Sequence, residues 1–302
     1  MKPGKSGIWK ELKIASLVFL TLVSAFLSYS IFVEPRSIST THLRIEGAPQ
    51  KMVFLADLHV RGSNADFIRK VVEEVNSLDP EIVLIGGDFI LDDEADIAHL
   101  SMLSQLEGRK YAMLGNHDYL SSIDAAGSQM KIREKANANF TVEGYNVSAL
   151  DDGLYSQEIG NEVKQKLEEA GFRVLENEYE ILEADGKQIL LVGLDDCWAG
   201  KTKLPTPLPE SDYSIYLLHE PECLADWDYN LMLLGHTHGG QVVFPIIGAP
   251  QSWIGMNAFS GMLVDEPEKK AYVTRGVGSF PMFFGIADMR FNCPPEIIAI
   301  NS

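Results

Sequence analysis

The sequence predicts an α/β fold whose polar groups gather where strands end. Three observations lead there. From residue 51 onward, short apolar runs alternate with segments of helical spacing, the pattern of strands covered by helices. The runs empty into short groups rich in Asp, Asn and His, the edge where open α/β sheets place their sites. Five of the seven histidines, His59, His117, His219, His236 and His238, stand at such run ends. His42 and His99 do not, and read as ordinary surface residues.

Taken in order, residues 1–13 carry Lys2, Lys5, Lys10 and Lys13 beside one acid, Glu11. Residues 14–33 hold no charge and are rich in Leu, Val and Phe. About 20 apolar residues rising 1.5 Å each cross the ~30 Å hydrocarbon core, so this is expected to be a transmembrane signal-anchor. A cleaved signal peptide is the alternative. The run exceeds the usual ~7–15 residue core of such peptides, and no A-x-A-like site follows. The flanking lysines place the N-terminus in the cytoplasm and the body outside it, although Arg36, Arg44 and Lys51 pull the other way. The expected product is a single-pass cell-membrane protein with an extracytoplasmic catalytic domain. Residues 34–50, with Pro35 and a Ser/Thr series, read as a stalk, and 51–302 as one domain.

Within that domain, Met52–Ala56, Ile82–Ile85 and Tyr111–Leu114 are strand candidates. Helices are expected over Asp66–Leu78, with Phe67, Val71, Val72 and Val75 on one face, and over Ile97–Leu106. A less regular middle contains a helix near Val163–Ala170. Strand-like runs then follow at Ile189–Val192, Ile215–Leu218, Leu231–Leu234, Ala271–Thr274 and Glu296–Ile300.

The groups at the run ends carry the chemistry. The first run reaches Asp57-Leu58-His59, the second Gly86-Gly87-Asp88, and the third Gly115-Asn116-His117-Asp118. Later runs reach His219-Glu220-Pro221 and Gly235-His236-Thr237-His238-Gly239-Gly240-Gln241. Alternate residues of an extended segment face opposite ways, but glycines beside His236 and His238 allow both rings to turn into one cavity. Close imidazoles suit a cluster of divalent metals better than an apolar interior.

Composition narrows the partners. The formal charge is −18, and beyond the first thirteen residues 21 basic against 42 acidic side chains leave −21, a poor match to a polyanion. Nucleic acid is not an expected partner. Three cysteines, Cys197, Cys223 and Cys293, without a C-x-x-C pair, exclude a disulfide framework and a thiolate zinc site but leave room for one bridge.

In this order, D-x-H, GD, GNHD, H and G-H-x-H resemble the calcineurin-like metallophosphoesterase family over roughly residues 50–302. The GHTHGGQV form, Arg275-Gly276 and Cys293-Pro294-Pro295-Glu296-Ile297 are similar to its membrane-associated or exported bacterial-type branch, where some relatives hydrolyse UDP-2,3-diacylglucosamine. The resemblance implies a four-layer α/β/β/α sandwich with two divalent metals at the sheet edge. Asp57, His59 and His238 would hold one ion, Asn116, His219 and His236 the other, and Asp88 would bridge them. Such a pair would acidify a water for in-line attack on phosphorus and absorb the developing charge. An all-N/O donor set suits Mn, Fe, Zn or Mg without choosing among them. His117 would act beside the leaving group as general acid or oxyanion stabiliser, with Asp118 orienting it.

The implied activity is hydrolysis of a phosphodiester or pyrophosphate bond, on a lipid-linked or nucleotide-lipid phosphoester substrate. Alternatives are a broad phosphomonoesterase or a non-catalytic binding scaffold of the same fold; the latter would be expected to have lost ligands, and every position is filled. A metallopeptidase would call for H-E-x-x-H, which is absent. Asp88 is followed by Phe89, Ile90 and Leu91, not the tyrosine of purple acid phosphatases, which argues against a coloured ferric centre. The 120–157 stretch reads either as a substrate-shaping insertion or as a surface loop of no consequence, with Asn139-Phe140-Thr141 and Asn146-Val147-Ser148 matching a glycosylation acceptor pattern. Val242–Ile254 and Phe280–Ile286 are unusually apolar for loops, which suits either core packing or an exposed patch near a membrane.

Overall fold

The odd and even positions of single strands define the layers. A computed structural model of the chain describes residues 5–91, 93–121, 140–253, 257–282 and 287–302. In strands β2 (Met52–Leu55), β3 (Ile82–Gly86) and β4 (Arg109–Met113), side chains alternate between two apolar clusters. Val53, Leu55, Val83, Ile85 and Ala112 pack under helices α2 (Ala65–Ser77) and α3 (Gln157–Glu169) and a 3₁₀ stretch, Glu94–Gln105. Met52, Phe54, Ile82, Leu84, Tyr111 and Met113 face a second sheet. A sheet buried on both faces needs near-continuous apolar strands, which is why these runs were legible.

The first sheet has the order β1-β14-β2-β3-β4-β5, with β1 at Ser39–Arg44, β5 at Phe172–Val174 and β14 at Glu296–Asn301. The second has the order β10-β11-β9-β8-β7-β6. Its members are β6 (Glu178–Ala184), β7 (Lys187–Gly193), β8 (Tyr213–Leu218), β9 (Leu231–Leu234), β10 (Gly261–Asp265) and β11 (Lys270–Val273). A two-stranded ribbon pairs β12 (Pro281–Met282) with β13 (Ala287–Asp288). The molecule is thus an α/β sandwich of two mixed sheets with helices. Among the described residues, loop segments cover the outer face of the second sheet: Trp227, Tyr229 and Ala225 pack on Val192, Tyr216, Leu218 and Met232.

Two expectations change. Residues 39–44, read as stalk, form an edge strand parallel to β14, with Thr41 Oγ1 donating to Glu296 Oε1 at 2.5 Å. Their polar composition concealed a strand whose apolar support comes from its neighbour. The expected helix at 97–106 is a 3₁₀ stretch that still buries Ile97, Leu100 and Leu103. Of the 120–157 stretch, residues 122–139, including the first glycosylation pattern at Asn139, lie outside the described residues. The remainder is no idle loop. Phe140 and Tyr145 pack against the outer cluster of the second sheet, and the Tyr145 hydroxyl donates to Cys223 O at 2.9 Å.

The apolar helix α1 (Lys5–Ser28) continues through a π turn, Tyr29–Val33, and a 3₁₀ turn, Glu34–Arg36. Most of its side chains are exposed. It is long and apolar enough to cross a membrane, with its candidate span at Trp9–Arg36. Its far end is fixed to the body: Glu34 is buried and its Oε1 accepts the Cys293 N–H at 2.6 Å. Arg290 N donates to Ser30 O at 3.0 Å.

Candidate metal centre

Strands β2, β3 and β4 run parallel, as do β8, β9 and β11, so six carboxyl ends collect along one edge of the sandwich. Beyond these ends the chain turns sharply. Asp57, His59, Asp88, His236 and His238 all adopt left-handed backbone, with φ of 53°, 42°, 57°, 70° and 50°. Such residues cost on the order of 1–3 kcal/mol each and persist only where surroundings over-determine them. The glycine argument therefore needs correction: His236 and His238 themselves take the unusual conformation, as do Gly239 and Gly240 after them. Gly87 is required for a different reason. At φ +90°, a Cβ there would lie 2.7 Å from Gly115 N and 2.8 Å from His219 Nδ1.

These turns bring the expected residues together. Asp57, His59 and His238 offer donor atoms within 4.8 Å of one another, as do Asp88, His219 and His236. Asp88 also groups with His59 and His117. His59 Nε2 and His238 Nε2 stand 2.9 Å apart, and Asp88 Oδ2 lies 3.0 Å from His219 Nε2. Asn116 Oδ1 lies 3.0 Å from His236 Nδ1. All seven are buried except His236, which is partly so.

Backbone carbonyls set the rings. His59 Nδ1 faces Ile90 O at 3.1 Å, His219 Nδ1 faces Gly86 O at 2.7 Å, and His117 Nδ1 faces Leu91 O at 2.7 Å. Each Nδ1–H donates to its carbonyl, so each Nε2 turns into the site, as metal-binding imidazoles are commonly held. Burial pushes His59 down to about 3, with His117 adding to the effect. Burial likewise holds His238 well below the usual imidazole range, with His59 and Arg290 contributing.

The carboxylates behave differently. Burial pushes Asp57 up to about 7, against the pull of His219, and the nearby Asp88 adds to it. Burial also works to raise Asp88, but His219, His117 and His59 outweigh it and hold Asp88 well below the usual carboxylate range. Two acids buried in so small a space favour added positive charge. Among the described residues Asp57 Oδ2 is buried without a hydrogen-bond partner, which is costly unless a cation completes it. The residues present fit divalent metal.

Asp118 does not orient His117. Its Oδ2 accepts the N–H groups of Asp88 and Gly115 at 2.9 Å each, and its Oδ1 those of Phe89 and Ile90 at 2.8 and 3.2 Å. It ties the GD turn to the GNHD turn, while Leu91 O holds the His117 ring. Phe89 and Ile90 then enter the core under the helices. His42 is exposed, and His99 is half-buried beside Gly62, away from the cluster.

The structure adds supports that the sequence did not reveal. Arg290 is fully buried and donates to Arg275 O, Gly276 O, Gly278 O and Cys293 O; its Nη2 is 3.5 Å from His238 Nδ1. Nothing in the local pattern around Arg290 signals a buried guanidinium. Trp198 packs edge-on against the His236 ring at 4.8 Å. The loop carrying it is joined by a Cys197–Cys223 disulfide to the turn after β8, and Cys293 is free and buried. Gln241 exchanges two hydrogen bonds with Phe280, at 3.0 and 2.9 Å, and the Phe280 ring meets that of His238 edge-on at 5.0 Å.

Comparison with known proteins agrees with this geometry. Residues 51–240 match the calcineurin-like phosphoesterase family model. The chain is 30% identical over 274 residues to phosphodiesterase YaeI of Escherichia coli, covering 84% of this chain and 82% of that one. It is 26% identical to UDP-2,3-diacylglucosamine pyrophosphatase LpxG of Chlamydia trachomatis, covering 82% of each. An uncharacterised metallophosphoesterase, YkuE of Bacillus subtilis, is 26% identical over 89% of this chain and 87% of its own length. The strand-end cluster, the family match and these relatives together make the chain a member of the calcineurin-like phosphoesterases, a hydrolase of phosphate esters.

Proposed function

We propose that the chain hydrolyses a phosphodiester or pyrophosphate bond in a lipid-linked substrate at a membrane surface, using two divalent ions. The observation that carries this reading is the pair of donor groups that flank Asp88. Asp57, His59 and His238 would hold one ion, Asn116, His219 and His236 the other, with Asp88 shared. Bound there, divalent ions supply Lewis acidity, lowering the pKa of a water and offsetting charge on the phosphate. The chain's own residues do the rest. Carbonyls of Ile90 and Gly86 fix the rings of His59 and His219, and Asp118 fixes the turns that carry Asp88 and Asn116. His117, with Nδ1–H given to Leu91 O, presents Nε2 and would pass a proton to the leaving oxygen.

The lipid-linked part is supported by the exposed apolar helix and by the LpxG relative, whose named substrate carries acyl chains. The disulfide suits a body on the oxidising side of the membrane, in line with lysines before the span. The relative named a phosphodiesterase supports the diester over the monoester reading for this chain. The test is a substrate panel with full-length protein in lipid nanodiscs and Mn²⁺: bis-p-nitrophenyl phosphate, p-nitrophenyl phosphate and UDP-2,3-diacylglucosamine. Faster turnover of the lipid-linked substrate supports the reading. Preference for the monoester, with the lipid untouched, contradicts it.

A further inference from the structure

Immediately beyond the turn that carries His238, the chain forms a tight hairpin. Phe244 N donates to Gly248 O at 3.0 Å and Gly248 N to Phe244 O at 2.9 Å. At its tip Ile246 is fully exposed, and Ile247 is more than half exposed. Trp253, on α4 (Pro250–Trp253), is 61% exposed and donates its Nε1–H to Ile247 O at 3.2 Å. Two isoleucines and a tryptophan thus stand together as an exposed apolar patch.

The helix beside the hairpin says which. Phe26 stacks on Phe244 with ring centroids 5.8 Å apart and meets Phe291 edge-on at 4.8 Å. Phe26 lies inside the uncharged 14–33 run, seven residues before its end. At 1.5 Å per residue this is roughly 10 Å below the level of Val33. A body that touches the helix at that depth cannot stay clear of the bilayer. We infer that the Phe244–Gly248 hairpin and Trp253 form a second membrane contact, inserted into the acyl region of the leaflet where α1 emerges. Exposed aliphatics there bury in hydrocarbon, and the Trp253 indole sits at the headgroup boundary. His238 stands six residues before Phe244, so the contact holds the metal-binding edge close to the membrane surface.

The inference rests on reading α1 as a membrane span, and the experiment separates the two. Full-length Ile246→Cys and Leu20→Cys proteins are each labelled with an environment-sensitive fluorophore. They are placed in phosphatidylcholine vesicles with or without brominated acyl chains. Quenching of both probes by brominated lipid supports the contact. Quenching at position 20 but only by aqueous iodide at 246 overturns the contact and leaves the span standing. Quenching at 246 without quenching at 20 upholds the hairpin contact and overturns the span. Quenching at neither overturns both. As a second readout, an Ile246→Asp/Ile247→Asp protein should lose at least about tenfold in turnover of a vesicle-embedded phosphodiester while keeping its rate on soluble bis-p-nitrophenyl phosphate. An equal rate on the embedded substrate would contradict the inference.

Discussion

Asp118 Oδ2 accepts the backbone N–H of Asp88 at 2.9 Å, and the same oxygen takes that of Gly115. One buried carboxylate thereby fixes two of the turns that converge on the centre. Asp118→Ala leaves four buried N–H groups unpaired and is predicted to cost about 3 kcal/mol or more. That corresponds to a Tm lower by roughly 6–12 °C, with metal content reduced in parallel. Thermal unfolding checks it; an unchanged Tm would show that the turns hold without the carboxylate.

Asp88→Asn and His236→Ala act on the centre itself. Each is predicted to abolish turnover with Mn²⁺ present while the metal-free protein unfolds at nearly the wild-type temperature. Wild-type protein should be stabilised by added Mn²⁺ and both variants should lose most of that shift. Calorimetry with and without metal distinguishes loss of a ligand from loss of the fold.

His117→Ala is predicted to keep its metals, because its neighbours hold the donor groups without it. Its rate should fall about 10²–10⁴-fold on alkyl phosphodiesters and much less on nitrophenyl esters, whose leaving group needs no proton. Equal losses on both classes would remove the proton-transfer role.

The Cys197–Cys223 bridge ties the Trp198 loop, which packs on His236, to the turn after β8. A Cys197→Ser/Cys223→Ser protein is predicted to lose about 2–4 kcal/mol of stability. Reduction of the native protein should lower its Tm likewise, and insensitivity to reductant would contradict the bridge.

What the sequence disclosed follows from burial. Strands β2, β3, β8 and β9 are apolar on both faces and end abruptly in Asp-, Asn- or His-bearing turns, so run and terminus are both visible in one dimension. The edge strands were hidden. Glu178–Ala184 exposes most of its residues and carries three glutamates, and Ser39–Arg44 is polar, so neither advertises a sheet. The clustered Asp, Asn and His positions were legible as motifs, but their supports were not. Asp118 reads as a histidine's partner until four amides are seen around it, and nothing in the sequence marks Arg290 before its carbonyl cage appears. Such roles depend on which loops meet in space, information that local pattern does not carry.

The central claim is a pair of cations gripped around Asp88 by separate strand ends. Metal content of the full-length protein, loaded with Mn²⁺ or Zn²⁺ and freed of excess, tests it most directly. Two ions per chain, falling to one or none in Asp88→Asn together with activity, is the predicted result. A fully active protein with no stoichiometric metal would contradict the account.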